Sequence, residues 1–497
     1  MRNRVFAAGT LALLTVATVL AFFSGGFFDK PRIIGAGVVW ALVVAAALLA
    51  PQPLPRSLHG RLALLGLFLL TAWVALSVAW APIAARTVDD LQRLLLYLGF
   101  MIAGAALLRG PLVRRWLEPG VVVGAFVVIG YGLSERLLPN AIHLASSGTA
   151  VGRLEQPLTY WNAEGLLAAI GMVLAIHVAG DPTRERIVRS LAAGAGVVLG
   201  LGVYLTYARG ALGALAVGLV VVLALTPHLR PQLRAMVTVS AAAAVAAFVA
   251  NDLPTVKSLS ERSTSDGIQM LVALIALALA AAVIAPQTPR RPIRLPSLPI
   301  SRPAAVLGVS ISLLVVGGLV LAATEGKPEG TSPARGATPK RLGSIDSNRY
   351  RYWEKAGEIF VDHPLIGIGS GGFQVEWLKL LDRIDTSGDA HSLYLETGAE
   401  LGIVGIVFLG LFLFGVGGSV VRVYRVHRGP ATALAAGLAA WAFHAGLDWD
   451  WEMPAVTLPA LLLAAAAIAW ADEADPQADA VVGAEAGQAA PRGAPIC

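Results

Sequence analysis

The chain has 497 residues, 56% hydrophobic and only 14% charged, with a mean hydropathy of +0.69. Soluble domains carry about 25% charged and 45–50% apolar residues, so an ordinary soluble enzyme and a long disordered protein are both excluded. The net charge of +6 lies in short Arg clusters between apolar runs, the pattern of a membrane protein and not of a nucleic-acid binder. The single cysteine, Cys497, excludes an intrachain disulfide and any Cys-based zinc or iron–sulfur site.

A bilayer core takes roughly 20 apolar residues per helix. Such runs lie near 5–23, 33–50, 62–80, 91–108, 117–138, 159–179, 190–208, 211–226, 235–250, 268–285 and 304–323, then 393–421, 431–447 and 454–471. The reading is an all-α polytopic membrane protein of about fourteen transmembrane helices (12–14). The first run follows Arg2 and Arg4 with no clear cleavage site near Ser24–Phe28, and reads as an uncleaved helix. Eleven spans are expected within 1–323 and three within 393–471.

Orientation follows from Lys and Arg in the short loops. A cytoplasmic N-terminus places Arg56, Arg61, Arg109, Arg114, Arg115, Arg184, Arg186 and Arg189 inside, with Arg230, Arg234, Arg290, Arg291, Arg422, Arg425 and Arg428. The opposite loops hold fewer cations, among them Arg86, Arg93, Arg153 and Arg209. The hydrophilic stretch 324–392 is then extracytoplasmic. Its first part, 324–346, is Gly/Pro/Ser-rich and reads as a linker. The second part, 347–392, reads as folded. Trp353, Ala356 and Phe360 mark an amphipathic helix stopped at His363–Pro364, a Gly turn follows, and a short helix is expected over 373–382. The tail 472–497 reads as disordered and cytoplasmic.

Polar groups at the edges of apolar spans are the candidates for function, because placing them there is costly. Four places stand out, all on one side in this topology. The first is RLEQPLTYWNAE, with Arg153, Tyr160, Trp161, Asn162 and Glu164; taken alone it reads as an interfacial aromatic belt with a helix start. The second is Arg209 in TYARGALGAL, against the positive-inside trend. It either snorkels to lipid or clamps an anion through its two-donor fork. The third holds Arg349, Arg351, the run GIGSGGF and His391. That Gly run lacks the Gly-Lys-Ser/Thr of a P-loop and reads as a tight turn, a backbone phosphate nest being the alternative. Beyond His391, Gly398 and Gly402 read as close helix packing. The fourth is His444 with DWDWE (448–452), an acidic and aromatic collar in preference to a metal site.

The string SNRYRYWEKAGEIFVDHPLIGIGSGGF, followed by AHSLYLETGAELGIVGIVFL, closely resembles the core of the O-antigen ligase/polymerase family. TYARGALGAL is similar to that family's Ser-Arg-Gly block, and RLEQPLTYWNAEG to its Arg-to-Asn block. Ala208 stands where the family often has Ser, and Ser392 where it often has Asn. The resemblance implies a C-type glycosyltransferase-like membrane fold and glycan transfer from undecaprenyl diphosphate to an acceptor hydroxyl (ligase) or to another lipid-linked repeat (polymerase). It implies His391 as the base and Arg209, with Arg153, as holders of the pyrophosphate. Arg349, Arg351 and Asn162 are further substrate-binding candidates. The chemistry suits these residue types. Fixed guanidinium groups stabilise a departing diphosphate, so no metal or other cofactor is called for, and a His accepts the hydroxyl proton. Direct attack inverts the anomeric carbon.

The expected partners are the lipid-linked glycan, a glycan or lipid acceptor and membrane lipids, with no nucleic acid. The expected setting is the cytoplasmic (inner) membrane, with the site on its extracytoplasmic face. The rival classes are a secondary transporter, which would carry ionisable residues at mid-membrane, and a non-catalytic component of a glycan export complex.

Overall fold

The computed structural model describes residues 2–287, 349–380 and 387–474. All regular structure among them is helical, as mid-bilayer backbone requires when no water is present to satisfy it. The helices are α1 (Arg2–Ala21), α2 (Asp29–Leu49), α3 (Leu58–Ser77), α4 (Ala84–Leu107), α5 (Pro111–Leu137), α6 (Trp161–Gly180), α7 (Arg186–Leu205) and α8 (Arg209–Leu225). There follow α9 (Leu229–Asn251), the short α10 (Pro254–Ser258), α11 (Thr264–Ile284), α12 (Arg349–Asp362), α13 (Phe373–Leu378), α14 (Leu393–Val426), α15 (Arg428–Ala445) and α16 (Pro454–Glu473).

Among the described residues ten of these are long and apolar enough to cross a membrane, and α8 and the apolar part of α1 are shorter. Each expected span within the described residues coincides with a helix. The run 304–323 and the linker 324–346 lie outside them. The expected total of fourteen is therefore not reached by the ten.

The bundle is built around α6 and α16, whose apolar windows are wholly buried. Their sequences, WNAEGLLAAIGMVLAIHVAG and PAVTLPALLLAAAAIAWADE, are apolar on every face, which suits a helix surrounded by other helices. By contrast α2, α9 and α11 leave most of their windows uncovered. Exposed Ile33, Val44, Val237, Phe248, Val272 and Leu279 face outward there, the surface that a lipid-facing helix presents. Main packing partners are α3 with α14, α6 with α7, α8 with α15, and α2 with α4. Small residues set the closest approach. A Cβ on Gly66 would overlap the backbone of Phe412, and one on Gly415 the backbone of Ala63, so α3 and α14 touch main chain to main chain.

The polar residues segregate to the two ends. At one end Arg109 binds Asp472 (3.0 Å), Arg114 binds Glu473 (2.6 Å), and Arg184 binds Glu118 (2.6 Å). Asp472 also accepts the backbone N–H groups of Arg56 (3.0 Å) and Ser57 (2.9 Å), capping the start of α3. This corrects the expected tail boundary: Asp472 and Glu473 close the last helix, and only 475–497 lie outside the described residues.

At the other end sits the folded loop. Helix α12 forms as expected and stops before Pro364, but its buried face is Tyr352, Ala356 and Ile359, one residue round from the expected one. Helix α13 ends at Leu378, and 381–386 lie outside the described residues. Gly402 does not serve close helix packing as expected. It breaks α14 at φ +64°, and a Cβ there would overlap the Leu365 carbonyl. The chain after α12 threads into this break. Ile403 N–H donates to Pro364 O (2.8 Å), and Gly369 N–H to Glu400 O (2.8 Å).

Candidate functional site

The Gly turn has a local cause and a local ligand. Gly367, Gly369 and Gly371 all have positive φ, where a side chain is strained. The N–H groups of Gly371 and Phe373 each donate to the Glu400 carboxylate at 2.9 Å. This nest is thus filled by the chain's own carboxylate, and the phosphate-nest alternative is overturned. The turn is instead tied to Glu400 in α14, the helix that His391 precedes.

His391 sits just before the N-cap of α14, where Ser392 accepts the N–H of Leu395. Its backbone is left-handed (φ +54°), an unusual conformation for a non-glycine residue that costs about 1–3 kcal/mol and clusters at functional sites. The ring Nδ1 lies 3.1 Å from the Asp389 carbonyl oxygen. A carbonyl only accepts, so Nδ1 carries a proton, and in the neutral ring the lone pair is on Nε2. The ring is flanked by Tyr352 (5.1 Å between centroids) and Trp449 (6.0 Å). Trp353 reaches the His391 carbonyl with its indole N–H at 3.4 Å.

A buried polar chain lies beside the imidazole, near enough for its charge to act on Asp448. Tyr160 donates its hydroxyl to Asp448 Oδ1 (2.7 Å), and Asn162 donates to the Tyr160 oxygen (2.7 Å). Arg349 binds the other oxygen of Asp448. Burial opposes ionisation of Asp448, but the Arg349 guanidinium, with His391 and His444 nearby, outweighs it and holds the carboxyl below its usual range. Trp449 stacks edge-on against Tyr160 (4.8 Å) and Phe27 (5.4 Å), closing the wall between the first helices and the loop.

The acids of DWDWE do not converge. Asp448 faces Arg349 and Tyr160, Asp450 binds His444 Nδ1 (2.6 Å), and Glu452 faces Arg93 (3.4 Å). Among the described residues no group of three or more His, Cys, Asp or Glu gathers as a cation cage.

The remaining candidates are distributed around this centre. Asn162 is a member of the chain. Arg349 is half-buried on Asp448, whereas Arg351 points to the exposed face of α12. Arg209 opens α8, close enough to Tyr350 for its charge to act on that phenol. Its neighbour Gly210 abuts His444, with the ideal Cβ position 2.9 Å from Nε2, so only a glycine lets α8 approach α15 so closely there. Arg209 thus borders the site beside Tyr350, at the end of α8 that meets His444 through Gly210. Arg153 is buried. Its Nε donates to Ala150 O and its terminal nitrogen to Thr149 O, both at 2.7 Å, and its guanidinium lies 3.4 Å over the Trp161 ring. Those bonds fold the loop ahead of α6.

Sequence reasoning did not foresee the partnership of Asp448 with Tyr160 and Arg349. The acids were visible, but the collar reading hid that one of them meets a candidate Arg. Nor did it single out Asp90 and Arg93 in α4, which join Glu452 and Ser370 near this rim. The signal was present: DDLQR places ionisable residues inside the start of an apolar span.

Residues 263–410 match a family model described as O-antigen ligase. The match runs from α11 into α14 and contains Arg349, the Gly turn and His391; Arg153, Arg209 and Asp448 lie outside it. It supports assignment of the chain to the O-antigen ligase/polymerase family. No curated protein matches the chain.

Proposed function

We propose, from the match of residues 263–410 to the O-antigen ligase family model, that the chain transfers a glycan from undecaprenyl diphosphate to an acceptor hydroxyl, or to another lipid-linked repeat, at the outer face of the cytoplasmic membrane. The observation that carries this reading is the setting of His391: strained backbone, Nδ1 tied to a carbonyl, and Nε2 left as a base beside the Arg349–Asp448 pair. A side chain held this way is pre-oriented for proton transfer.

In the proposed step, His391 Nε2 takes the acceptor hydroxyl proton as its oxygen attacks the anomeric carbon. The bond from that carbon to the phosphate oxygen breaks, and its electron pair leaves with the diphosphate. Attack opposite the leaving group inverts the carbon. Arg209 meets the growing charge on the diphosphate, and Arg153 contributes its fixed charge from within the loop. The imidazolium then returns its proton to the released phosphate or to water. Asp448, held ionised by Arg349, stabilises the imidazolium while it exists. Tyr160 and Asn162 fix the Asp448 carboxylate. Arg351, on the exposed face, is placed to meet the distal part of the glycan.

The test uses purified protein in proteoliposomes with a radiolabelled lipid-diphosphate glycan and no ATP. His391→Ala and Arg209→Ala are expected to lose transfer by about 100-fold or more while inserting normally. Full turnover in both variants would reject the reading.

A further inference from the structure

Beside the His391 centre lies a cavity of about 480 Å3, on the far side of the Phe27–Trp449 pair. It is walled by the starts of α2 and α4, the Gly turn and the segment before His391. Its volume falls within the range of small-ligand sites. Six acidic and four basic side chains line it. Two of the cations are already taken. Buried Arg32 is bound by Asp29 (2.5 Å) and Asp89 (3.2 Å), and buried Arg93 by Asp90 (2.6 Å) and Glu452 (3.4 Å). Each of these two guanidinium groups is thus shared between two carboxyl groups, which leaves less of its charge for an anionic ligand.

Three further features suit an uncharged, hydroxyl-rich ligand. Arg93, 6% exposed, has a buried Nε with no partner among the described residues, a donor awaiting an acceptor oxygen. Phe28, 60% exposed, offers an apolar platform for a sugar face at the cavity wall. Glu452 is pushed well above the usual carboxyl range by burial. Arg93, shared with the nearer Asp90, does not offset this, so the neutral acid can both donate and accept. Finally, Asp389 lines the cavity while its carbonyl meets His391 Nδ1, so one residue links the cavity to the His391 centre.

We infer that this cavity is the acceptor subsite and takes an uncharged polyhydroxylated sugar, with Asp90, Glu452 and Arg93 reading its hydroxyls and Phe28 its ring face. The inference rests on the transfer function proposed above. It separates two surfaces around one imidazole: the arginine side for the donor's diphosphate, and the carboxylate side for the incoming hydroxyl.

The experiment uses the full chain in proteoliposomes. An undecaprenyl-diphosphate disaccharide is the donor and a phosphate-free alkyl disaccharide the acceptor. Asp90→Asn and Phe28→Ala are each expected to raise the half-saturating acceptor concentration by about tenfold. Donor half-saturation, read from hydrolysis without acceptor, is expected to stay within about twofold for the exposed Phe28→Ala, which keeps the test valid even if a buried substitution perturbs folding. A diphosphate in the cavity gives the opposite sign: removing the Asp90 charge would tighten donor binding, and that result overturns the inference. So does unchanged acceptor half-saturation in Phe28→Ala, or donor consumption by the unaltered protein with no transfer to the alkyl disaccharide. If the unaltered protein consumes no donor under any condition, the transfer function itself fails.

Discussion

Tyr160 and Asp448 meet at 2.7 Å although 288 residues separate them, and the same carboxylate receives Arg349 from the folded loop. One buried acid therefore ties the start of α6, the loop between α15 and α16, and α12 into a single wall behind His391. Its side chain is fully buried, so its ionised state depends on these partners.

Removing one member of this wall should cost more than removing two. Arg349→Met leaves the Asp448 charge buried and uncompensated, and a loss of about 3–5 kcal/mol is expected. The double variant Arg349→Met/Asp448→Leu removes both charges and should recover much of that loss. Thermal unfolding of the unaltered protein, Arg349→Met, Asp448→Leu and the double variant in one detergent measures this. A double variant as unstable as the Arg349 single variant would show that the pair does not act as a unit.

Glu452 gives a pH dependence with a definite sign. Its folded-state pKa is raised, chiefly by burial, so the folded protein keeps a proton that the unfolded chain releases. Its favourable contribution is complete below the ordinary Glu value of about 4.5 and is lost as pH rises through the raised value. Glu452→Gln mimics the neutral acid, and should flatten the fall in stability above that point while changing little below it. Unfolding midpoints measured from pH 4 to pH 9 test this; identical slopes for both proteins would contradict it.

Asp448 has the opposite sign. Its lowered pKa supplies stability above the ordinary Asp value of about 3.9, lost as pH falls through the folded value. Asp448→Asn should remove this acid-side loss and lower stability at neutral pH, where Arg349 then lacks its counter-charge. Acid unfolding curves for the two proteins separate these effects.

The break in α14 can be tested through two glycines in one helix. Gly402→Ala forces a Cβ onto the Leu365 carbonyl at a positive φ, and should destabilise by about 1–3 kcal/mol and loosen the turn held by Glu400. Gly410 has open space around its Cβ position, and Gly410→Ala should be neutral or stabilising by up to about 1 kcal/mol. Protease sensitivity of 364–373 reports the loosening. Equal behaviour of the two variants would mean the break is not required by packing.

The helical, membrane-crossing character was legible in composition and run length, because lipid leaves a backbone no alternative and demands long apolar stretches. His391, Arg209 and Arg349 were conspicuous there as candidates, since a polar group beside an apolar span stands out. The meeting of Asp448 with Tyr160 and Arg349, the break at Gly402, the carboxylate in the Gly turn and the cavity beside Asp389 were decided only in three dimensions. Each joins residues from separate helix ends, and local periodicity holds no information about which helix ends become neighbours. Packing of small residues at α3, α8, α14 and α15 fixes that choice, and with it which charges share one wall.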